Sequence, residues 1–191
     1  MTIAPELRWR ISFIVGGVLM ALGGPMHPDA DSKDSLRDEL ATMTSSSSWV
    51  LSHTLIALGT TLLAVGLWSA YRNRCWPVSL RRALHVVAIT MSLYVVETVF
   101  HLASVIDSDA LADGGAAPIA FTHIGLALVL YPVSGLTFAW LGVRLFGAVG
   151  VPEKVFGVIG VLAGLLHATS VPLTIVFPDA EITPIFASAG M

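Results

Sequence analysis

The sequence predicts an all-α integral membrane protein of five transmembrane helices, and three observations carry that prediction. Of its 191 residues, 55% are hydrophobic and only 12% charged, against roughly 25% charged in an average soluble domain. The mean hydropathy is +0.80. Five apolar runs each reach the about 18 residues needed to cross a hydrocarbon core of roughly 30 Å as a helix. A lipid bilayer is therefore the first partner, and residues 1–191 read as one membrane domain.

The first span runs from about Trp9 to Met26. Arg8 and Arg10 followed by the apolar stretch Ile11 to Leu22 have the outline of a secretory signal, but no A-x-A-like cleavage site follows, so the span reads as retained. Pro25 and Pro28 stop it. The stretch from His27 to Ser48 is polar, with a Ser45 to Ser48 linker and a short helix expected over Ser35 to Thr42. Further spans follow over Trp49 to Tyr71, Ala83 to Ser104, Ile119 to Val143 and Val155 to Phe177. Pro132 and Pro172 mark places where the last two spans could break, as helices lining transport sites do. Gly16-Gly17, Gly23-Gly24 and the Gly157, Gly160, Gly164 series read as close helix contacts, within the chain or with another membrane protein.

Charge orients these spans. Arg8 and Arg10, then Arg72, Arg74, Arg81 and Arg82, then Arg144 and Lys154 fall on one side, eight of the ten basic residues. The other side carries Asp29, Asp31, Asp34, Asp38 and Glu39, then Asp107, Asp109 and Asp113, then Asp179 and Glu181, offset only by Lys33 and Arg37. The positive-inside rule then predicts N-terminus in and C-terminus out, in the cytoplasmic membrane of a prokaryote. Trp49, Trp68, Tyr71 and Trp76 read as interfacial anchors.

The chain also reads as an internal repeat of 49–104 and 119–177. Ser52-His53-x-x-Ile56-Ala57-Leu58 in span two matches Thr122-His123-x-x-Leu126-Ala127-Leu128 in span four. His101-Leu-Ala-Ser104-Val105 in span three matches His167-Ala-Thr-Ser170-Val171 in span five. Two repeated hairpins predict a pseudo-twofold, four-helix antiparallel bundle with the N-terminal helix packed outside it.

The same motifs place histidines from four helices at similar depth in the outer half. Glu97 joins them, four residues before His101 and on the same helical face, which continues through Tyr94 and Thr90. An ionisable group inside a span costs about 2.5 to 3.5 kcal/mol on insertion scales, so Glu97 calls for a proton, a cation or a metal. Neutral imidazoles with a carboxylate suit Zn, Cu, Ni or Fe. The expected site is His53, Glu97, His101, His123 and His167, mononuclear or dinuclear, on the extracytoplasmic side, with His27 as a further ligand beside Met26. The alternative is haem b, held by one pseudo-symmetric pair, His53 with His123 or His101 with His167. In that case Gly59, Gly125, Gly160 and Gly164 would let a flat macrocycle approach. A third reading leaves the histidines as a structural hydrogen-bond network. His85, beside Arg81 and Arg82 at the inner end, reads as structural.

Other chemistries lack support. A net charge of -3 leaves no footprint for nucleic acid. The single cysteine, Cys75, can form neither an internal disulfide nor a multi-thiolate site. No GxxxxGK[ST], HExxH, GxSxG or GxGxxG occurs. Three classes of function stay open: a membrane oxidoreductase acting on a quinone or lipid, a metal carrier or sensor, and an accessory subunit or homo-oligomer. The acidic outer loop would draw cations toward the site.

Overall fold

A computed structural model describes residues 5–29, 35–147 and 150–177. It is all-helical, without a strand among the described residues, and five of its helices are long and apolar enough to cross a membrane. Helix α1 spans Pro5–Gly23 and ends in a 3-10 turn at Gly24–Met26, where Pro25 forbids further α-helical bonding. Helix α2 spans Leu36–Thr44, close to the short helix expected there. Ser35 caps it, accepting from the Asp38 amide and donating to the Asp38 carboxylate. The remaining spans are α3 (Trp49–Arg72), α4 (Arg81–Ala103), α6 (Pro118–Phe146) and α7 (Val151–Val176), with the one-turn α5 (Ser108–Ala112) between α4 and α6. Asp31, Lys33, Asp34, Asp179 and Glu181, which enter the charge pattern, lie outside the described residues.

The breaks expected at Pro132 and Pro172 do not occur, since both prolines sit inside continuous helices. Hydroxyls follow two residues after each proline: Ser134 Oγ donates to the Leu130 carbonyl at 2.6 Å, and Thr174 Oγ1 to the Ser170 carbonyl at 3.2 Å.

Consecutive spans pack antiparallel, in chain order: α1 on α3, α3 on α4, α4 on α6, α6 on α7. Span three is the most buried and spans one and five the least. The closed four-helix bundle expected from the repeat would also need α3 to pack along α7. That pairing is not among the extensive contacts of the described residues. The reason lies in two seams of small residues. A Cβ at Gly59 would come 2.8 Å from the Gly16 carbonyl oxygen, and one at Gly142 would come 2.7 Å from the Gly157 carbonyl oxygen. Backbones so close bind α1 to α3 and α6 to α7 by dispersion, which is what drives helix association where no water is available to be released. Each seam claims a face of its helix, and α4 joins the two pairs.

At one end of the row lie the basic termini, with Trp9 edge-on to Trp76 at 5.9 Å and Arg144 donating to the Ser79 carbonyl. The opposite end is roofed by α2 and α5. Leu40 packs on Leu111, Ala117 and Ala120. The Arg37 guanidinium binds the carbonyls of Ala110, Leu111 and Gly115 at 3.0 to 3.5 Å. The Asp107 carboxylate accepts the amides of Ile119 and Ala120 at 2.6 and 3.0 Å. It thereby satisfies free donors at the positive end of α6 and sets the register of that helix.

Candidate metal centre

Five titratable side chains meet beneath this roof, each within about a turn or two of a helix end. His53 follows Trp49, the first residue of α3, by four residues. His101 lies two residues before the end of α4, Glu97 one turn deeper, and His123 five residues into α6. His27 follows the 3-10 turn that ends the first span. The packing order explains the gathering: α4 sits between α3 and α6, so His101 is flanked by His53 on one side and His123 on the other. Thr90, Tyr94, Glu97 and Thr98 of α4 are all buried, so the polar stripe read on that helix does face inward.

Two sets of donor atoms lie close enough for a shared ion, each set within 4.8 Å. One is His27, His53 and His101, and the other is Glu97, His101 and His123. Hydrogen bonding distinguishes the nitrogens. His53 Nδ1 is 2.7 Å from the Trp49 carbonyl and His27 Nδ1 is 2.8 Å from the Pro28 carbonyl. A carbonyl only accepts, so both Nδ1 atoms carry hydrogen and both Nε2 atoms keep a lone pair. His53 Nε2 lies 3.0 Å from His101 Nε2. His101 Nδ1 lies 3.8 Å from Glu97 Oε1. Two of the three rings thus give Nδ1–H to an acceptor of the protein, and the third has a carboxylate nearby at a distance too long for a hydrogen bond. This is the outer-shell arrangement that fixes the tautomer of metal-ligating histidines. Burial holds the His27 imidazole below its ordinary pKa against the opposing pull of the Pro28 carbonyl, which favours the neutral ring.

Glu97 is fully buried, and neither of its oxygens has a hydrogen-bond partner among the described residues. His123 Nδ1 is 2.7 Å from Oε1, at bonding distance but off the bonding axis. A carboxylate so placed calls for positive charge nearby. The His123 ring lies face to face on His101, with centroids 3.9 Å apart and planes 19° apart. Imidazole ligates through lone pairs in its own plane, and two stacked rings send theirs side by side. In this arrangement His101 and His123 send their lone pairs side by side, so one ring would have to turn for the Glu97, His101 and His123 set to bind one ion through both.

The other expected residues fall elsewhere. His167 belongs to neither set. Its Nε2 lies 3.2 Å from Ser134 Oγ, its ring stacks on Tyr131 at 4.6 Å and meets Tyr94 edge-on at 5.1 Å. The His53 to His101 contact has no His123 to His167 counterpart among the described ring contacts, so the site does not follow the repeat. Neither pair expected for haem is supported: His101 lies between His53 and His123 and contacts both, and His167, the expected partner of His101, is engaged with Ser134 and Tyr131. Gly59 and Gly164 are taken up by the helix seams. His85 stacks on Tyr71 at 4.4 Å, at the far end.

Sequence reading missed Trp49 as part of the site. Taken there as an interfacial anchor, it is fully buried, stacks on His53 at 3.8 Å, and donates from Nε1 to the Leu102 carbonyl at 3.2 Å. The available signal was its spacing, since a residue four positions before a helical histidine shares its face. Tyr131 and Ser134, which partner His167, carried no such signal. No family profile, curated protein or solved structure matches the chain.

Proposed function

We propose that the chain is an integral membrane metalloprotein holding one divalent transition ion, zinc in the first instance, on His27, His53 and His101. The observation that carries this reading is the shared tautomer logic. Two of the three rings spend Nδ1–H on backbone carbonyls, the third has Nδ1 beside Glu97, and the donor atoms of all three lie within 4.8 Å of one another. Three neutral nitrogen ligands leave a fourth tetrahedral position open, the pattern of catalytic rather than structural zinc. The donor sets contain nitrogen and carboxylate but no sulfur, which favours zinc over cuprous copper.

In this reading Glu97 sits outside the ligand set and balances the charge of the ion, which supplies the cation that a buried carboxylate requires. His167 is a packing residue. The positive-inside rule puts the N-terminus in the cytoplasm and the centre on the extracytoplasmic side, with the duplication of 49–104 in 119–177 a matter of ancestry that the site no longer obeys. Elemental analysis of the detergent-purified chain, with its visible spectrum, tests the proposal. About one zinc per chain and no Soret band is expected. No metal after reconstitution would overturn it and leave the His53 to His101 contact, already at hydrogen-bonding distance, as part of a structural network.

A further inference from the structure

At the end of the helices opposite the metal centre, three rings meet between α3 and α4. Tyr71 stacks on His85 with centroids 4.4 Å apart and planes 5° apart, and Trp68 meets the two edge-on at 5.9 and 5.7 Å. Trp68 Nε1 donates to Ser92 Oγ at 2.9 Å, which pins the indole to α4. Two guanidinium groups lie over this platform, Arg72 over Trp68 and Arg81 over Tyr71, each with Cζ 5.3 Å from the ring centroid.

Nothing in the chain neutralises them. No Asp or Glu occurs between Glu39 and Glu97, and neither arginine forms an ion pair among the described residues. Helix formation does not call for Arg81, the first residue of α4, since a cation there opposes the helix dipole. The positive-inside rule asks for charge at this end, but not for rings that hold it in place. Two planar cations fixed on adjoining rings match an oxyanion that accepts paired hydrogen bonds from a guanidinium, and at a membrane surface that oxyanion is a phosphate.

Beyond the platform the surface is apolar. Ile89, Leu93 and Val96 follow His85 along α4 at the spacing of one helical face, and all three are exposed. They form a track about 10 Å long by rise. In the turn itself Val78 is 87% exposed, which suits a loop at the level of lipid headgroups.

We propose that Arg72 and Arg81, held on the platform of Trp68, Tyr71 and His85, bind the phosphate of an anionic phospholipid whose acyl chain lies along Ile89, Leu93 and Val96. A headgroup of net negative charge is selected over a zwitterionic one, because the turn offers no carboxylate to the ammonium of choline or ethanolamine. The site is independent of the ion on His27, His53 and His101, and either can fail alone.

The test uses the full chain in dodecyl maltoside, with phosphatidylglycerol and phosphatidylcholine of identical acyl chains as probes and bound lipid counted by native mass spectrometry. Phosphatidylglycerol should bind more tightly by about tenfold or more. Arg72→Gln with Arg81→Gln should weaken it about 30-fold, at about fivefold for each basic residue beside an anionic headgroup. Arg74→Gln with Arg82→Gln removes the same charge from the same turn without touching the platform, and should cost much less. Arg72→Lys with Arg81→Lys keeps the charge but not the planar fork and should fall between; it carries the test if the first pair does not fold. Equal binding of the two lipids, equal losses in the two glutamine pairs, or parent-like binding in the lysine pair would overturn the site and leave only diffuse surface charge. Displacement of the lipid by millimolar inorganic phosphate would assign the affinity to the anion alone and overturn the lipid assignment.

Discussion

His53 and His167 are the same residue among apolar spans, and each looks like a ligand from its position in the sequence. Their surroundings separate them. His53 gives Nδ1–H to its own helix backbone and points its remaining nitrogen at another imidazole, near a carboxylate without hydrogen-bond partners. His167 reaches the hydroxyl of Ser134 and is enclosed by Tyr131 and Tyr94. The first is a meeting of two imidazoles at 3.0 Å within a group whose donor atoms could share an ion, and the second is a closed polar contact. A buried polar group that is satisfied is adequately explained by packing, whereas a buried carboxylate without a hydrogen-bond partner calls for a cation nearby.

The strongest way to break this contrast is to exchange the fates of the two histidines. His53→Ala should weaken zinc binding more than about 100-fold, beyond the about 10- to 100-fold that follows loss of an outer-shell partner, whereas His167→Ala should leave stoichiometry at one. Equal effects in a zinc titration would erase the distinction. Next in size, Glu97→Gln should weaken zinc by about 10- to 100-fold through loss of the outer-shell charge, which competition with a chromophoric chelator would resolve. Acidification below pH 6 should release zinc, because protons compete for the three neutral imidazoles. Dialysis at stepped pH would record that release, and retention at pH 4 would contradict the ligand set.

A smaller effect tests the frame instead of the site. Gly142→Leu forces a side chain into the α6 to α7 seam and should destabilise the fold by about 1 to 3 kcal/mol. Gly125→Ala, where a Cβ meets nothing within 4 Å, should be close to neutral in the same denaturation measurement. Smallest of all, Ser134→Ala removes the hydrogen bond between Ser134 and His167 Nε2 and should cost about 0.6 kcal/mol, the average for such contacts in a membrane. A loss several times larger would mean that the closed contact around His167 is more than packing.

Much of the fold was legible because lipid imposes a simple rule: backbone groups must bond within a segment, so apolar length alone marks the spans. Hydropathy therefore located five helices, and prolines located the end of the first. It marked Pro132 and Pro172 as places where helices could break, and both lie inside continuous helices, because one lost backbone bond does not end a long apolar helix whose other bonds are intact. The site was half legible. The spacing of Glu97 and His101 put two chemistry-bearing groups on one face, and counting residues from the helix ends put His53 and His123 level with them.

Composition and periodicity thus determined the helical class, the five helices long and apolar enough to cross a membrane and the level of His53, His101 and His123 along them, since those properties depend only on position along each helix. Which histidines meet was decided by the tertiary structure alone. The glycine seams pair α1 with α3 and α6 with α7, leave α4 between α3 and α6, and so bring His53, His101 and His123 together while His167 turns to Ser134. That choice depends on how closely two backbones approach, a distance that no residue carries by itself.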